Sequence, residues 1–289
     1  MAKVAIDPIV RKVFIFDEVY TFRAAEEQAE KNKMDAFGML AKLNPFNRPK
    51  PETVLLVKKT QRYEPFWQVA CQRSVDYHCD VTYPVPVHNP HAQTIICGSQ
   101  SYDVARNGGK GKIDVAVREK CFRKIDYAGF IDGLNRETRE IKPSTFESYV
   151  SKYKAQDVED LHNPDAIPPQ LAMASVVQIA SSKLNSEAIN AHDIVTDLLT
   201  FEKLFLYFRP VFAFEYTWST TGKAGVIEVD GLTGEVIENG QWFKDKAAQV
   251  LTREMLFMAS AEVAGHIVPG GGLMVKVIDR MTQPVKTVR

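Results

Sequence analysis

Period-two alternation is the clearest pattern in the chain. Over residues 75–85, Val75, Tyr77, Cys79, Val81, Tyr83 and Val85 share one side, while Asp76, His78, Asp80 and Thr82 share the other. Successive side chains of a strand point to opposite faces, so this spacing predicts a sheet with one buried and one solvated side. Residues 66–71 read as a second strand, set off by a polar turn at Gln72 to Ser74, and residues 54–58 alternate weakly. Residues 94–97 and 113–117 continue the pattern around Gly- and Asn-rich turns. The β-branched and aromatic run 10–22 predicts a further strand. Residues 205–218 and 224–238 predict two more, joined at 219–223.

Helical spacing appears elsewhere. Ala25, Ala29, Phe37, Leu40 and Leu43 predict a helix over 23–43, ended by Asn44-Pro45 and followed by a proline-rich linker to Pro51. Ser144-Thr145-Phe146-Glu147 has the form of a capping box. Pro168-Pro169 precedes an apolar run from Leu171 to Ala180 that predicts a largely buried helix, and 188–199 predicts another. A last helix is expected over 243–264, ending at the glycines 270–272 before a short element at 273–281. The expected fold class is therefore α+β, with antiparallel sheets packed by helices. Four parts are expected: 1–50 (strand, helix and linker), 51–142 (β-rich), 143–242 (helical segment plus hairpin) and 243–289 (helix-Gly-helix tail).

Residues 213–238 hold two alternating strands and the sequence Val229-Asp230-Gly231-Leu232-Thr233-Gly234-Glu235-Val236. Asp230 and Thr233 can hydrogen-bond the turn backbone, and Gly234 can take positive φ, returning Val229 and Val236 to the sheet. This stretch resembles the strand pair and closing turn of a PepSY-like module. The resemblance implies a binding or inhibitory unit, with no catalytic residues to carry over. Two upstream echoes accompany it. Glu64-Pro65-Phe66-Trp67 matches Arg209-Pro210-Val211-Phe212, and Asp132-Gly133-Leu134 matches Asp230-Gly231-Leu232. Together they raise a diverged duplication of PepSY-like β units, with chance similarity as the competing explanation.

Composition narrows the function classes. Hydrophobic residues at 45% and charged residues at 25% of 289 are ordinary globular values, which argues against wholesale disorder. Lys+Arg and Asp+Glu are equal at 36 each, so no global field attracts polyanions and no nucleic acid is expected. The densest basic run, 106–112, reads as a solvated hairpin loop. The N-terminus has no uninterrupted apolar core of a signal peptide, and four scattered cysteines suit a reduced, cytoplasmic protein. The apolar stretch 255–278 is broken by Glu262, His266, Lys276 and glycines, too polar for a spanning helix but able to touch a membrane surface.

Catalytic motifs fail on inspection. Residues 13–18, ending in Asp17-Glu18, outline a Walker B strand, but no phosphate-cradling Gly loop ending in Lys-Ser or Lys-Thr accompanies it. Cys121 sits in no nucleophile signature, and Gly-x-Ser-x-Gly is absent. The densest Cys/His stretch offers Cys71, Cys79, His88, His91 and Cys97 as zinc ligands, His88 and His91 at a spacing that suits one ion. The simpler reading makes Cys71 and Cys79 small buried hydrophobes and the histidines loop residues. No cofactor is predicted beyond this zinc alternative. A non-enzymatic binding or assembly protein, working through a protein partner or self-assembly, is the leading expectation. A metal-assisted enzyme and a peripheral membrane protein are the alternatives.

Overall fold

The computed structural model describes residues 3–38, 41, 48–136, 141–238, 240 and 251–258. Three long strands carry it: β3 (Val54–Val87), β7 (Lys110–Asp132) and β10 (Asp193–Trp218). The main sheet runs β12-β11-β10-β3-β7-β6, where β6 is Ala105–Asn107, β11 is Lys223–Asp230 and β12 is Val236–Ile237. β1 (Lys3–Ala5) and β2 (Arg11–Phe16) lie along the other edge of β10 and run parallel to it, and β8 (Ala155–Val158) flanks β2. Small hairpins are formed by β4 (Thr94–Cys97) with β5 (Gln100–Asp103), and by β9 (Asp160–Leu161) with β13 (Leu251–Thr252).

This corrects the expected fold class. Strand makes up 53% and helix 20%, in one large mixed sheet with small satellites, which is not the balanced α+β packing of antiparallel sheets and helices. The sequence pattern breaks where the backbone does not. Gln72 to Ser74 is strand interior, because the buried Arg73 is satisfied there by a two-pronged 2.9 Å pair with Asp197 and by the carbonyls of Leu184 and Glu187. The helix expected over 188–199 is instead the start of β10, where β-branched Ile194, Val195 and Thr196 favour extended backbone. The strand expected over 10–22 stops at Phe16, and Phe22 already begins a helix.

Helices cover both faces of the sheet. α1 (Phe22–Lys31) and the 3-10 turn Lys33–Phe37 pack Ala25, Ala29 and Ala36 on Phe212, Phe214, Tyr216 and Trp218. α3 (Met173–Asn185) lies on the same face over Trp67, Val69, Leu204 and Leu206, its buried positions Met173, Val176, Val177, Ala180 and Leu184 recurring at helical spacing. α4 (Arg253–Met258) joins it, setting Phe257 edge-on to Trp67 with ring centres 5.7 Å apart. α2 (Pro143–Lys152) covers the opposite face, stacking Phe146 on Phe66 at 4.4 Å. The capping box is not used: Pro143, its φ already fixed near the helical value, starts α2 one residue earlier, which puts Ser144 inside the helix and leaves Lys142 at the cap without a side-chain bond.

The two proline-led segments occupy equivalent places about a local two-fold axis through the β3–β10 ladder. Glu64 pairs with Arg209 in register, Phe66 with Asp132, and Val211 with Asp230. Gly133 N–H donates to the Pro65 carbonyl and Gly231 N–H to that of Pro210, at 3.0 and 2.9 Å. Each proline therefore faces the point where its outer ladder ends, so the missing N–H leaves no gap. After Asp230, the acid's Oδ1 accepts from Leu232 and Thr233 N–H, and Gly234 takes φ 75°. β12 then pairs Val236 with Val229.

Candidate functional site: an amphipathic β arm

Beyond His78 the main sheet narrows to two strands. β10 pairs with β3 only as far as Asp193 opposite His78, whereas β7 stays paired to Val87 opposite Gly111. The resulting arm spans about 30 Å from Cys79 to Val87. It ends in the β4–β5 hairpin, which Val104 N–H to Gln93 carbonyl and Arg106 to the Asn89 and Ala92 carbonyls hold in place.

The arm keeps the alternation of the core without the cover. One face carries Tyr77, Val81, Tyr83 and Val85 from β3 beside Val115 and Val117 from β7. None of these six is buried, and Tyr83 and Val85 are 50% and 41% exposed. The sheet side expected to be buried is thus closed through Cys71 and Val75, half-exposed at Tyr77, Val81, Val115 and Val117, open at Tyr83 and Val85, and closed again at Ile113 opposite Val85. The other face is polar and self-satisfied: Arg118 grips Asp80 with bonds of 2.6 and 2.8 Å, and Lys112 pairs with Asp114 at 3.1 Å. Arg118 holds the Asp80 carboxyl below its ordinary range, first through their hydrogen bonds and then through its charge.

The two edges of the arm differ. Asp80 N–H points away from β7, to His192 Nδ1 at 3.1 Å. Pro84 and Pro86 share its parity, so each presents a ring where an N–H would meet an incoming strand. Prolines blunt an edge against pairing. β7 has no such guard: from Ile113 to Ile131 its outer edge has no strand partner among the described residues.

The sequence-derived ligand set does not assemble. Cys71 is buried in the main core, and that burial, followed by the charge of Glu202, pushes its thiol up to about 12. His88, His91 and Cys97 are exposed around the arm tip, whereas Cys79 is half-buried at the base of the arm. Cys79 instead meets Glu119 and Cys121, which the sequence places 40 and 42 positions away; only the β3–β7 register brings them together. The Walker-like acids are engaged structurally. Glu18 accepts from Tyr63 Oη at 2.7 Å and Asp17 accepts from Gln156. Burial and then Glu18 push the Tyr63 hydroxyl well above its ordinary range.

A second polar constellation lies inside the fold. Glu64, wholly buried on the α2 side, accepts from Arg62 at 2.7 Å, Arg209 at 2.7 Å and Arg136 at 2.8 Å. Arg136 also grips Asp132, and Asp230 accepts from Arg209 and from the Tyr149 hydroxyl. Burial works to raise Glu64, but the guanidiniums of Arg136, Arg209 and Arg62 outweigh it and hold the carboxyl well below its usual range. These groups pair with one another within the core, Arg209 through both terminal nitrogens while its Nε is left without a partner among the described residues, the arrangement of a structural ion cluster.

No protein-family model matches the chain, and no curated protein or solved structure matches it. No helix among the described residues is long and apolar enough to cross a membrane. Of the segment 255–278 expected to touch membranes, Leu256 and Phe257 are buried against the body, and residues 259–278 lie outside the described residues. The run 106–112 is mostly strand, the β6–β7 hairpin at the arm tip with only Gly108 and Gly109 turning, and there Arg106 is spent on carbonyls and Lys112 on Asp114.

Proposed function

We propose that this is a non-enzymatic assembly protein that docks a protein partner on its arm. The observation that supports the reading is the part-exposed apolar stripe of the arm, opposite a polar face on which Arg118 pairs with Asp80 and Lys112 with Asp114. Strict alternation costs solubility unless the apolar side is buried, and a two-stranded ribbon is marginal in water by itself. The stripe from Tyr77 to Val85 measures about 250 Å², well short of the roughly 800 Å² per partner of a standard interface. The open β7 edge supplies the remainder, by accepting a strand from the partner. The PepSY-like turn at 229–236 is consistent with a binding module, and four unbridged thiols suit a reducing compartment such as the cytoplasm.

The test replaces Val85 and Val117 together by lysine. Size-exclusion with light scattering on protein isolated from its native source is expected to show loss of the assembled species. Circular dichroism and the urea midpoint are expected to stay put, because surface substitutions of this kind move stability by about 0.5 kcal/mol or less. Retention of the assembly by the double variant would refute the arm as the docking element.

A further inference from the structure

The base of the arm's apolar face carries a compact donor set. Cys79 Sγ, a Glu119 carboxylate oxygen and Cys121 Sγ all lie within 4.8 Å of one another. The antiparallel register explains why: Cys79 faces Glu119, Tyr77 faces Cys121, and the period of two keeps the three ligands on one side. We propose that Cys79, Glu119 and Cys121 form a zinc site, with the fourth position open on the docking face.

The donor chemistry favours zinc. Two thiolates with a carboxylate suit a borderline-soft divalent ion at tetrahedral geometry, whereas an all-oxygen set would suit magnesium or calcium. On binding, the two thiols release their protons to solvent and the carboxylate binds as it stands, so uptake is pH-dependent. Outer groups are already in place: the Tyr83 hydroxyl donates to Glu119 Oε1, and Cys79 Sγ lies 3.3 Å from the Asn190 carbonyl, an acceptor its thiol proton leaves when the metal enters. The site stands on side-chain geometry, so it does not require the docking reading to hold.

The test uses the full chain, reduced and stripped of metal. Zinc is added, excess is removed by gel filtration, and the metal is measured by elemental analysis. About one equivalent per chain is expected, and cobalt in place of zinc is expected to give a thiolate-to-cobalt charge-transfer band in the near ultraviolet. Cys79→Ser and Cys121→Ser are expected to abolish that band. Glu119→Gln is expected to weaken zinc binding by at least about tenfold while keeping the band. Cys97→Ser, at the exposed tip, is expected to leave uptake unchanged. Reduced wild-type protein that takes up less than about a tenth of an equivalent, or a Cys79→Ser/Cys121→Ser double variant that binds zinc as wild type does, would overturn the assignment.

Discussion

Glu64 shows how much a single side chain decides in this fold. It is the wholly buried, shared acceptor of three guanidiniums. Glu64→Ala leaves Arg62 with Glu228 and Arg209 with Asp230, but removes the carboxylate that joins them, and is expected to cost about 3–5 kcal/mol by urea unfolding. The sign of the pH effect follows from its depressed folded pKa. The contribution is complete above the roughly 4.3 of an unfolded glutamate and drains away as pH falls through that value towards the folded one. The urea midpoint is therefore expected to fall below about pH 4.5, with a shallower fall in Glu64→Gln. Thiols give a second residue-scale check. Iodoacetamide on native protein is expected to label Cys97 first and Cys71 only after unfolding, read by mass spectrometry, because the buried Cys71 thiolate is scarce and inaccessible. At this scale the sequence is legible where chemistry is local, as in the turn built by Asp230, Thr233 and Gly234. The ion cluster was not legible, because Glu64 and Arg209 are 145 positions apart and look like solvated charges in a linear reading.

Among the elements, β3 is the most informative. Its alternation is plain in the sequence, but a period of two says which residues share a face and nothing about what covers that face. Hence the alternation predicts a buried stripe at Val81, Tyr83 and Val85, where Tyr83 and Val85 are exposed and Val81 is half-exposed. Its 34 residues look like several strands in the sequence because Arg73 and its polar neighbours mimic a turn. The prolines carry a prediction here. Replacing Pro84 and Pro86 by threonine restores two outward N–H groups at a flat edge and is expected to raise concentration-dependent self-association in light scattering. The glycine after each Asp has a defined duty as well. A Cβ on Gly133 would sit 2.6 Å from the Pro65 carbonyl oxygen, and one on Gly231 would sit 2.8 Å from Pro210 atoms. Gly133→Ala is expected to destabilise by roughly 1–3 kcal/mol on urea unfolding, since the close contact is with backbone that cannot swing aside.

For the whole molecule, the long strands explain both the corrected fold class and the proposed role. β3 and β10 pair antiparallel at the centre of the sheet, helices shield the body on both faces, and β3 with β7 continues past the end of β10 into an arm. Such an extension is hard to foresee from composition, because a neutral, average chain can distribute its apolar surface in many ways. The most direct test of the docking role is site-specific photocrosslinking in cells that produce the protein. A photoreactive side chain is placed at 114, 115, 116 and 117 in turn. Crosslinks to one partner of defined mass from 115 and 117, with silence at 114 and 116, is the predicted result. Equal yields at all four positions, or none at any, would contradict it.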